Sequence, residues 1–147
     1  MLMLSACSFT SMKEPKYLFK ASMLVKENHT WYKAFIHFGK LIEERSEGRM
    51  KLEVYPSEQL AKELEAIRLI KAEVIDMTIS AGSLTNFAEI LIFSDMPFLL
   101  KDTLSMHKLI NSAIGKRIER EMIEKIGVRP LGYFQRGDRH LTSNRPI

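Results

Sequence analysis

The feature that most constrains the fold is an alternation of strand-length and helix-length apolar patterns along the chain. Three segments, Tyr17–Met23, Met50–Tyr55 and Val74–Ser80, are rich in alternating or β-branched residues and predict strands. Between them, apolar residues recur at helical spacing over residues 31–42 and about 61–72. Strands that alternate with helices in this way predict an α/β fold with a mainly parallel sheet flanked by helices.

The ends of these elements carry their own signals. Thr30 is the predicted N-cap of the first helix, and Gly48 is the predicted stop after it. Ala81–Ser83 is predicted to form a turn after the third strand. The Met96–Pro97 pair predicts that residues 93–100 are extended or bent rather than helical, because proline restricts the residue before it.

The last third of the chain is richer in helical patterns. Two further helices are predicted near residues 102–111 and 114–126, with Gly127 as the stop of the second. Val128–Phe134 has the pattern of another strand, and His140–Ser143 that of a short one. Together, residues 16–147 are predicted to form one folded domain.

Length and composition fit one soluble globular domain. The 147 residues are 46% hydrophobic and 27% charged. No apolar run approaches the roughly 18–20 residues that a membrane-spanning helix needs. The net charge of +4 comes from basic residues scattered among 18 acidic ones, which argues against a nucleic-acid-binding surface.

The motifs that carry common catalytic chemistry do not occur in this sequence. There is no glycine-rich phosphate loop followed by Lys-Ser/Thr and no Gly-x-Ser-x-Gly elbow. The four histidines are never four residues apart, which argues against a metal site on a helix. The sequence therefore predicts no enzyme, no cofactor and no metal ion.

Residues 1–15 are predicted to be a disordered lead that precedes the folded part. They contain Leu4-Ser5-Ala6-Cys7, which has the form of a lipoprotein signal ending at a lipidated cysteine. Only six residues precede Cys7, and none of them is basic, so an ordinary thiol in an unstructured N-terminus is the alternative. A single cysteine excludes an internal disulfide.

In an open parallel sheet, ligands bind in the loops that follow the carboxyl ends of the strands. The predicted strands place four loops there, at residues 24–29, 57–63, 81–87 and 135–139. The last of these loops lies in a locally basic stretch, in which Asp138 is the only acidic residue among four arginines, Arg129, Arg136, Arg139 and Arg145. This edge of the sheet is the predicted ligand site.

Five segments, in order along the chain, carry a resemblance to one protein family. They are the helix with its tail over residues 32–49, Val54–Leu60 with its Tyr-Pro…Gln-Leu pattern, Ile75–Thr78, Asp95–Leu99 and Gly137–Ile147. Over residues 17–147 the chain resembles the substrate-binding proteins of tripartite ATP-independent periplasmic (TRAP) transporters, the DctP family. The Tyr-Pro…Gln-Leu pattern is the most distinctive of the five.

The resemblance implies a periplasmic-binding-protein-like lobe, the N-terminal one of a two-lobed protein whose C-terminal lobe is absent from this truncated sequence. It implies capture of a small organic acid, a carboxylate, for delivery to TRAP membrane subunits. The implied location is periplasmic or otherwise extracytoplasmic, with Cys7 as the candidate lipid anchor. The alternative is a truncated, non-binding remnant or a sensor-like lobe with a protein partner.

The resemblance also implies roles for particular residues. Arg139 occupies the position of a family arginine that contacts the ligand carboxylate, a task suited to the planar guanidinium fork. Glu63 matches a cleft position that is often acidic, although the helix dipole alone favours a carboxylate there. Leu24 falls where some relatives place a polar contact. Ala81 and Gly82 lack bulk, so their backbone could approach the ligand closely.

Overall fold

The computed structural model describes residues 14–80, 82–96, 99–134, 137 and 142–145. The chain divides into two compact units, Met1–Ile79 and Ser80–Ile147. The described part of the first unit contains the parallel sheet and its two crossover helices, and that of the second contains only helical and irregular segments. The predicted disordered lead lies outside the described residues, apart from Glu14 and Pro15.

The sheet of the first unit has three parallel strands in the order β2-β1-β3. Its strands are β1 (Tyr17–Ser22), β2 (Met50–Tyr55) and β3 (Met77–Thr78). The crossover helices are α1 (Thr30–Arg45), which joins β1 to β2, and α2 (Glu63–Lys71), which joins β2 to β3. The two connections run in opposite directions across the sheet, so right-handed crossovers place the two helices on opposite faces. The predicted α/β fold with a mainly parallel sheet is therefore confirmed.

One part of the core of the first unit lies between the sheet and α1. Met23, Val25 and Ile79 form a buried cluster directly after β1 and β3. The partly buried side chains that pack against this cluster are Leu24 and Val54 together with Trp31, Tyr32 and Phe35 of α1. Full burial of a side chain the size of methionine or isoleucine stabilises by about 1.5–3 kcal/mol. This cluster therefore anchors the strand ends to α1.

A close approach of backbone to side chain fixes α1 on β2. Gly39 is the buried residue of α1, and a Cβ atom added there would lie 3.3 Å from the Cβ of Leu52. Glycine at this position lets the helix axis come nearer to the strand than alanine allows. The helical spacing of the apolar residues predicted which face of α1 turns to the sheet, and this glycine sets the distance.

The helix ends differ in detail from the sequence prediction. The N-cap of α1 is His29 rather than Thr30, because Nδ1 of His29 accepts a hydrogen bond of 3.1 Å from the amide of Trp31. At the other end, the amides of Glu47 and Gly48 bond to the carbonyls of Glu44 and Glu43. This Schellman pattern places Glu47, with φ 55°, in the left-handed position and Gly48 one residue later.

The same pattern ends α2 and shortens the third strand. The amides of Glu73 and Val74 bond to the carbonyls of Ile70 and Leu69, with Glu73 at φ 59°. Val74 is thus part of the helix end and not of a strand. The predicted strand over 74–80 was too long, since only Met77–Thr78 pairs with β1.

The second unit is helical where the sequence predicted extended chain. A 3₁₀ helix spans Gly82–Asn86, where a turn was predicted, and another spans Glu89–Asp95. The prediction that residues 93–100 are extended was wrong for their first part. Proline acts on the residue before it, and Met96 is indeed extended (φ −69°, ψ 122°), so the helix stops immediately before that point.

Two α-helices follow in the second unit, α3 (Thr103–Ile110) and α4 (Ala113–Glu121). Asp102 caps α3 by accepting from the amide of Ser105. A hydrogen bond with the side chain of Ser105, and after it this amide bond, lower the pKa of Asp102. A π-helical turn over Met122–Ile126 continues α4, and Gly127 (φ 78°) ends it as predicted.

The predicted strand Val128–Phe134 is not a strand in this structure. Its backbone pairs with no described strand, and Leu131, Tyr133 and Phe134 are exposed. A β-prone sequence becomes a strand only if another strand supplies pairing groups, and the three described strands are all in the first unit. Half of the predicted strand His140–Ser143, residues 140–141, lies outside the described residues, and Thr142 and Ser143 are not in a strand.

Gly115 generates a prediction about stability. A Cβ atom at this position would overlap the backbone carbonyl of Ile110, at the tight connection between α3 and α4. We expect Gly115→Ala to lower the free energy of unfolding by about 2–3 kcal/mol, since backbone cannot yield as a side chain can. Urea denaturation followed by far-UV circular dichroism measures the change.

Gly132→Ala is the matched control, because nothing lies within 4 Å of its added Cβ atom. Its free energy of unfolding should stay within about 0.5 kcal/mol of the parent chain. Equal stability of the Gly115→Ala and Gly132→Ala chains would contradict the steric explanation.

Candidate functional site

The carboxyl ends of β1, β2 and β3 meet at one edge of the first unit's sheet. They are Ser22, Tyr55 and Thr78, and in the register of the sheet Ser22 lies opposite both of the others. The segments that leave this edge are the ones in which ligands of open parallel sheets bind. Leu24 and Glu63 follow the first and second strands, as predicted from the sequence.

The segments after β1 and β2 are joined by main-chain hydrogen bonds. The amide of Met23 donates to the carbonyl of Tyr55 at 2.9 Å. Beyond the strands, the amides of Ser57 and Glu58 donate to the carbonyls of Val25 and Met23, at 2.9 and 2.8 Å. These bonds extend the pairing past the end of the sheet and fix the backbone on both sides of Leu24.

The chain reverses direction immediately after β2 in a strained turn, Pro56–Gln59. The amide of Gln59 donates to the carbonyl of Pro56 at 3.1 Å, and the central residues Ser57 and Glu58 have φ 54° and 57°. Two central residues at positive φ define a type I′ turn, which ordinarily carries glycine or asparagine. The bonds to Met23 and Val25 therefore hold two side-chain-bearing residues in a conformation that they disfavour.

Leu24 lies in the middle of this bonded region. Its side chain is half-buried and packs against the cluster of Met23, Val25 and Ile79. A side chain in this position presents an apolar surface at the edge of the sheet and makes no hydrogen bond itself. Leu24 can thus shape a site, while any polar contact there must come from backbone or from other residues.

Glu63 is the first residue of α2 and is half-buried. Lys62, the N-cap residue, makes no side-chain cap hydrogen bond, and Glu63 and Glu65 supply negative charge to the first turn. This charge favours the helix through the dipole. A hydrogen bond of 3.4 Å from the hydroxyl of Ser22 to the carbonyl of Ala61 ties the approach to α2 to the end of β1.

Tyr55 and Glu53 form a polar pair at the end of β2. The phenol of Tyr55 donates to Oε2 of Glu53 at 2.8 Å. This hydrogen bond raises the pKa of Tyr55, and burial adds to the effect in the same direction. The tyrosine accordingly remains a neutral donor to Glu53 at physiological pH, and its oxygen can only accept from a further group.

The remaining predicted site residues are placed differently. Gly82 begins the first 3₁₀ helix of the second unit, where its carbonyl accepts a hydrogen bond of 2.6 Å from the hydroxyl of Thr85. Ala81, Arg139 and Cys7 lie outside the described residues. The structure therefore brings Leu24 and the Pro56–Gln59 turn together and places Glu63 on the helix that follows this turn.

Sequence reasoning missed three features near this edge. They are the turn at Ser57 and Glu58, the cap formed by His29 and the side-chain hydrogen bond between Asp76 and β1. The only signal for the turn was Pro56 followed by polar residues. Within the described ranges, no group of three or more metal-ligating side chains occurs, and no helix is long and apolar enough to cross a membrane.

Comparison with known proteins identifies the family. Residues 21–147 match the profile of DctP, described as bacterial extracellular solute-binding protein, family 7. The chain belongs to this family. The resemblance inferred from the five sequence segments is therefore confirmed, and it extends over most of the folded part.

Relatives of this DctP-family chain include a solute-binding protein of Roseobacter denitrificans, 37% identical over 87% of this chain and 39% of that protein. The 2,3-diketo-L-gulonate-binding periplasmic protein of Escherichia coli is 31% identical over 74% of this chain and 33% of its own length. This chain thus spans less than half the length of either relative.

The fold of a solved family structure agrees with that of this chain. The crystal structure of a TRAP periplasmic solute-binding protein from Roseobacter denitrificans, with bound L-galactonate, superimposes with a TM-score of 0.82 at 34% identity. The match covers 92% of this chain and 45% of the solved one. The lobe-like α/β fold is accordingly that of the TRAP periplasmic solute-binding proteins, and this chain corresponds to part of such a protein.

The strained turn of this DctP-family chain generates a prediction. In Glu58→Gly the turn keeps its hydrogen bonds, but the residue at φ 57° no longer carries a Cβ atom. We expect a gain of about 0.5–1 kcal/mol in the free energy of unfolding, after allowing for the greater freedom of glycine in the unfolded chain. Urea denaturation monitored by the fluorescence of Trp31 measures it.

Glu27→Gly removes the same charge from an exposed position that is not at positive φ. This control should be neutral or slightly destabilising, since it gains flexibility without relief of strain. A similar stabilisation by both substitutions would attribute the effect to charge and would contradict the strained turn.

Proposed function

We propose that this chain is the ligand-capturing N-terminal part of a TRAP-type solute-binding protein, which takes up a small organic acid outside the cytoplasm. The observation that carries the proposal is the family match over residues 21–147, together with the superposition on the L-galactonate-bound structure. The proposal is one of binding and delivery, with no chemical change to the solute. The proposed partners are the membrane subunits of the same transporter.

The proposed solute is a carboxylate, with sugar acids as the first candidates. One related structure contains L-galactonate, and one related protein is named for binding 2,3-diketo-L-gulonate. Both compounds are hydroxylated monocarboxylates. A site for such a solute needs a cation for the carboxylate and acceptors for the hydroxyl groups.

Arg139 is the proposed cation of this site. Its guanidinium can meet a carboxylate through two parallel hydrogen bonds, which a lysine cannot do. The proposed acceptor is Glu63, at the start of α2 and half-buried. Leu24 is the proposed apolar contact, because it packs on the core cluster, and the backbone of Ala81 and Gly82 is proposed to approach the solute because neither residue has a bulky side chain.

We expect this chain alone to bind the proposed solute weakly. A micromolar dissociation constant requires about 8 kcal/mol of binding free energy. One exposed ion pair contributes roughly 0–1 kcal/mol, and two-lobed binding proteins gain the rest when they close around the solute. Because the chain spans 45% of the galactonate-bound relative, we expect dissociation constants in the millimolar range.

Nuclear magnetic resonance can test a site of this strength. We expect titration of the ¹⁵N-labelled chain with L-galactonate, D-galacturonate and succinate to shift the amide signals of Leu24, Glu63, Gly82 and Arg139. Arg139→Ala should abolish saturable shifts, and Arg139→Lys should weaken them at least several-fold because it loses the bidentate contact. Calorimetry provides an upper bound on the affinity.

The control is Arg120→Ala, which removes an exposed arginine from α4 and should leave the titration unchanged. Saturable shifts that persist in Arg139→Ala would exclude this arginine as the carboxylate contact. Absence of any solute-induced shift in the parent chain would instead favour a non-binding or sensor-like lobe. A low-micromolar dissociation constant would contradict the expectation that this chain alone binds the solute weakly.

Attachment to the membrane is a separate part of the proposal and concerns Cys7 alone. If Leu4–Cys7 is a working lipoprotein signal, expression in a bacterial host with an alkyne-labelled fatty acid should label the chain, and Cys7→Ser should abolish the label. Labelling that survives in Cys7→Ser, or no labelling of the parent chain, would leave Cys7 as an ordinary thiol.

A further inference from the structure

Side-chain hydrogen bonds hold the strand β3 to β1 in addition to a short main-chain ladder. It has two residues, Met77 and Thr78, which pair with Ala21 and Ser22. The strand β2, on the other side of β1, pairs over all six of its residues. A two-residue ladder contains few main-chain hydrogen bonds, so other contacts must determine where β3 sits along β1.

Asp76 replaces a missing main-chain acceptor at the start of β3. Its Oδ2 accepts a hydrogen bond of 2.8 Å from the amide of Lys20, and its own amide donates to the carbonyl of Lys20 at 2.9 Å. If the ladder continued in the register of Ala21 and Met77, Lys20 would pair with Asp76, and the acceptor for the amide of Lys20 would be the carbonyl of Ile75. The side chain of Asp76 accepts from this amide instead.

Thr78 makes the corresponding contact at the other end of β3. Its hydroxyl donates, at 2.9 Å, to the carbonyl of Ser22, which is the last residue of β1. Ser22 is almost fully buried, so this bond is shielded from water. Asp76 and Thr78 thus form a pair of side-chain clamps, one before and one within the strand, and both bind main-chain groups of β1.

The register that these clamps set determines the position of the residues after β3. Ile79 joins the buried cluster with Met23 and Val25, and the chain leaves the first unit immediately after it. Side chains alternate between the two faces of a sheet, so a slip of one residue would turn Ile79 away from the core.

We propose that Asp76 and Thr78 are positioning residues, which fix the register of β3 and thereby place the segment after it for solute binding. The positioning of β3 stands on the hydrogen bonds alone, whereas its consequence for the solute rests on the proposed function. Asp76 touches no solute in this proposal. It acts through the backbone of β1 and of its own strand.

The decisive experiment compares Asp76→Ala with Asp76→Asn by amide hydrogen exchange. Asparagine keeps an oxygen that can accept from Lys20, whereas alanine does not. We expect the Lys20 amide to exchange about ten-fold faster in Asp76→Ala and within about two-fold of the parent in Asp76→Asn. The Met23 amide, which bonds to Tyr55 across the other edge of β1, is the internal control and should not change.

Two results would overturn the proposal. One is an unchanged Lys20 exchange rate in Asp76→Ala, and the other is an increase that Asp76→Asn fails to reverse. If Asp76→Ala does not fold, Thr78→Val and Thr78→Ser replace it, because valine keeps the shape of threonine and serine keeps the hydroxyl. Faster exchange of the Met77 and Thr78 amides in Thr78→Val alone supports the proposal, and equal exchange in both variants contradicts it.

The solute titration separates this proposal from the proposed function. If the parent chain responds to L-galactonate, Asp76→Ala should reduce the solute-induced shift of Gly82 several-fold and Asp76→Asn should preserve it. An unreduced shift in a folded Asp76→Ala chain would refute the positioning role. If the parent chain does not respond, the proposed function fails, while the exchange experiment still decides whether Asp76 and Thr78 hold β3 in register.

Discussion

The main-chain hydrogen bonds of β1 hold the first unit together on both sides. Towards β2 they run through all six paired residues and continue past the sheet to the Pro56–Gln59 turn. Towards β3 they cover two residues and are supplemented by Asp76 and Thr78. The central strand β1 thus pairs with β2 along its whole length through main-chain hydrogen bonds, whereas its short ladder with β3 is supplemented by side chains. Everything at the carboxyl edge, including the backbone around Leu24, depends on these two ladders.

The sequence correctly predicted α1 and β2, because the residues of each element carry its periodicity. Apolar spacing in α1 and alternation in β2 were sufficient, because each pattern matches one periodicity and one buried face. The boundaries of β3 were not predictable, since Val74 is β-prone and yet ends α2 through hydrogen bonds to its last turn. Val128–Phe134 shows the same limitation, because a strand depends on a partner that its own sequence does not specify.

The placement of Leu24 and Glu63 after strand ends was predictable, whereas the turn beside Leu24 was not. Parallel topology placed Leu24 and Glu63 after strand ends, and the structure agrees. The turn at Ser57 and Glu58 had no local signal beyond Pro56 and the polar residues after it, since neither central residue favours positive φ. Its conformation is imposed by the carbonyls of Met23 and Val25, which lie more than thirty positions earlier in the chain. Contacts at such separation cannot be read from composition or periodicity.

The proposed solute site needs two kinds of group. The strand ends and the bonded turn provide a backbone fixed by hydrogen bonds, and Leu24 packs on the core cluster, so in the proposed function the specificity for an acid comes from charged side chains outside the sheet. A rigid edge favours binding because little ordering is required when a solute arrives. The proposed cation, Arg139, would gain little on its own in water, where the interaction of two charges is strongly screened. In the proposed function, exclusion of water by a second surface is therefore what would turn this edge into a tight site, and this chain spans 39% of the Roseobacter denitrificans relative and 45% of the galactonate-bound solved chain.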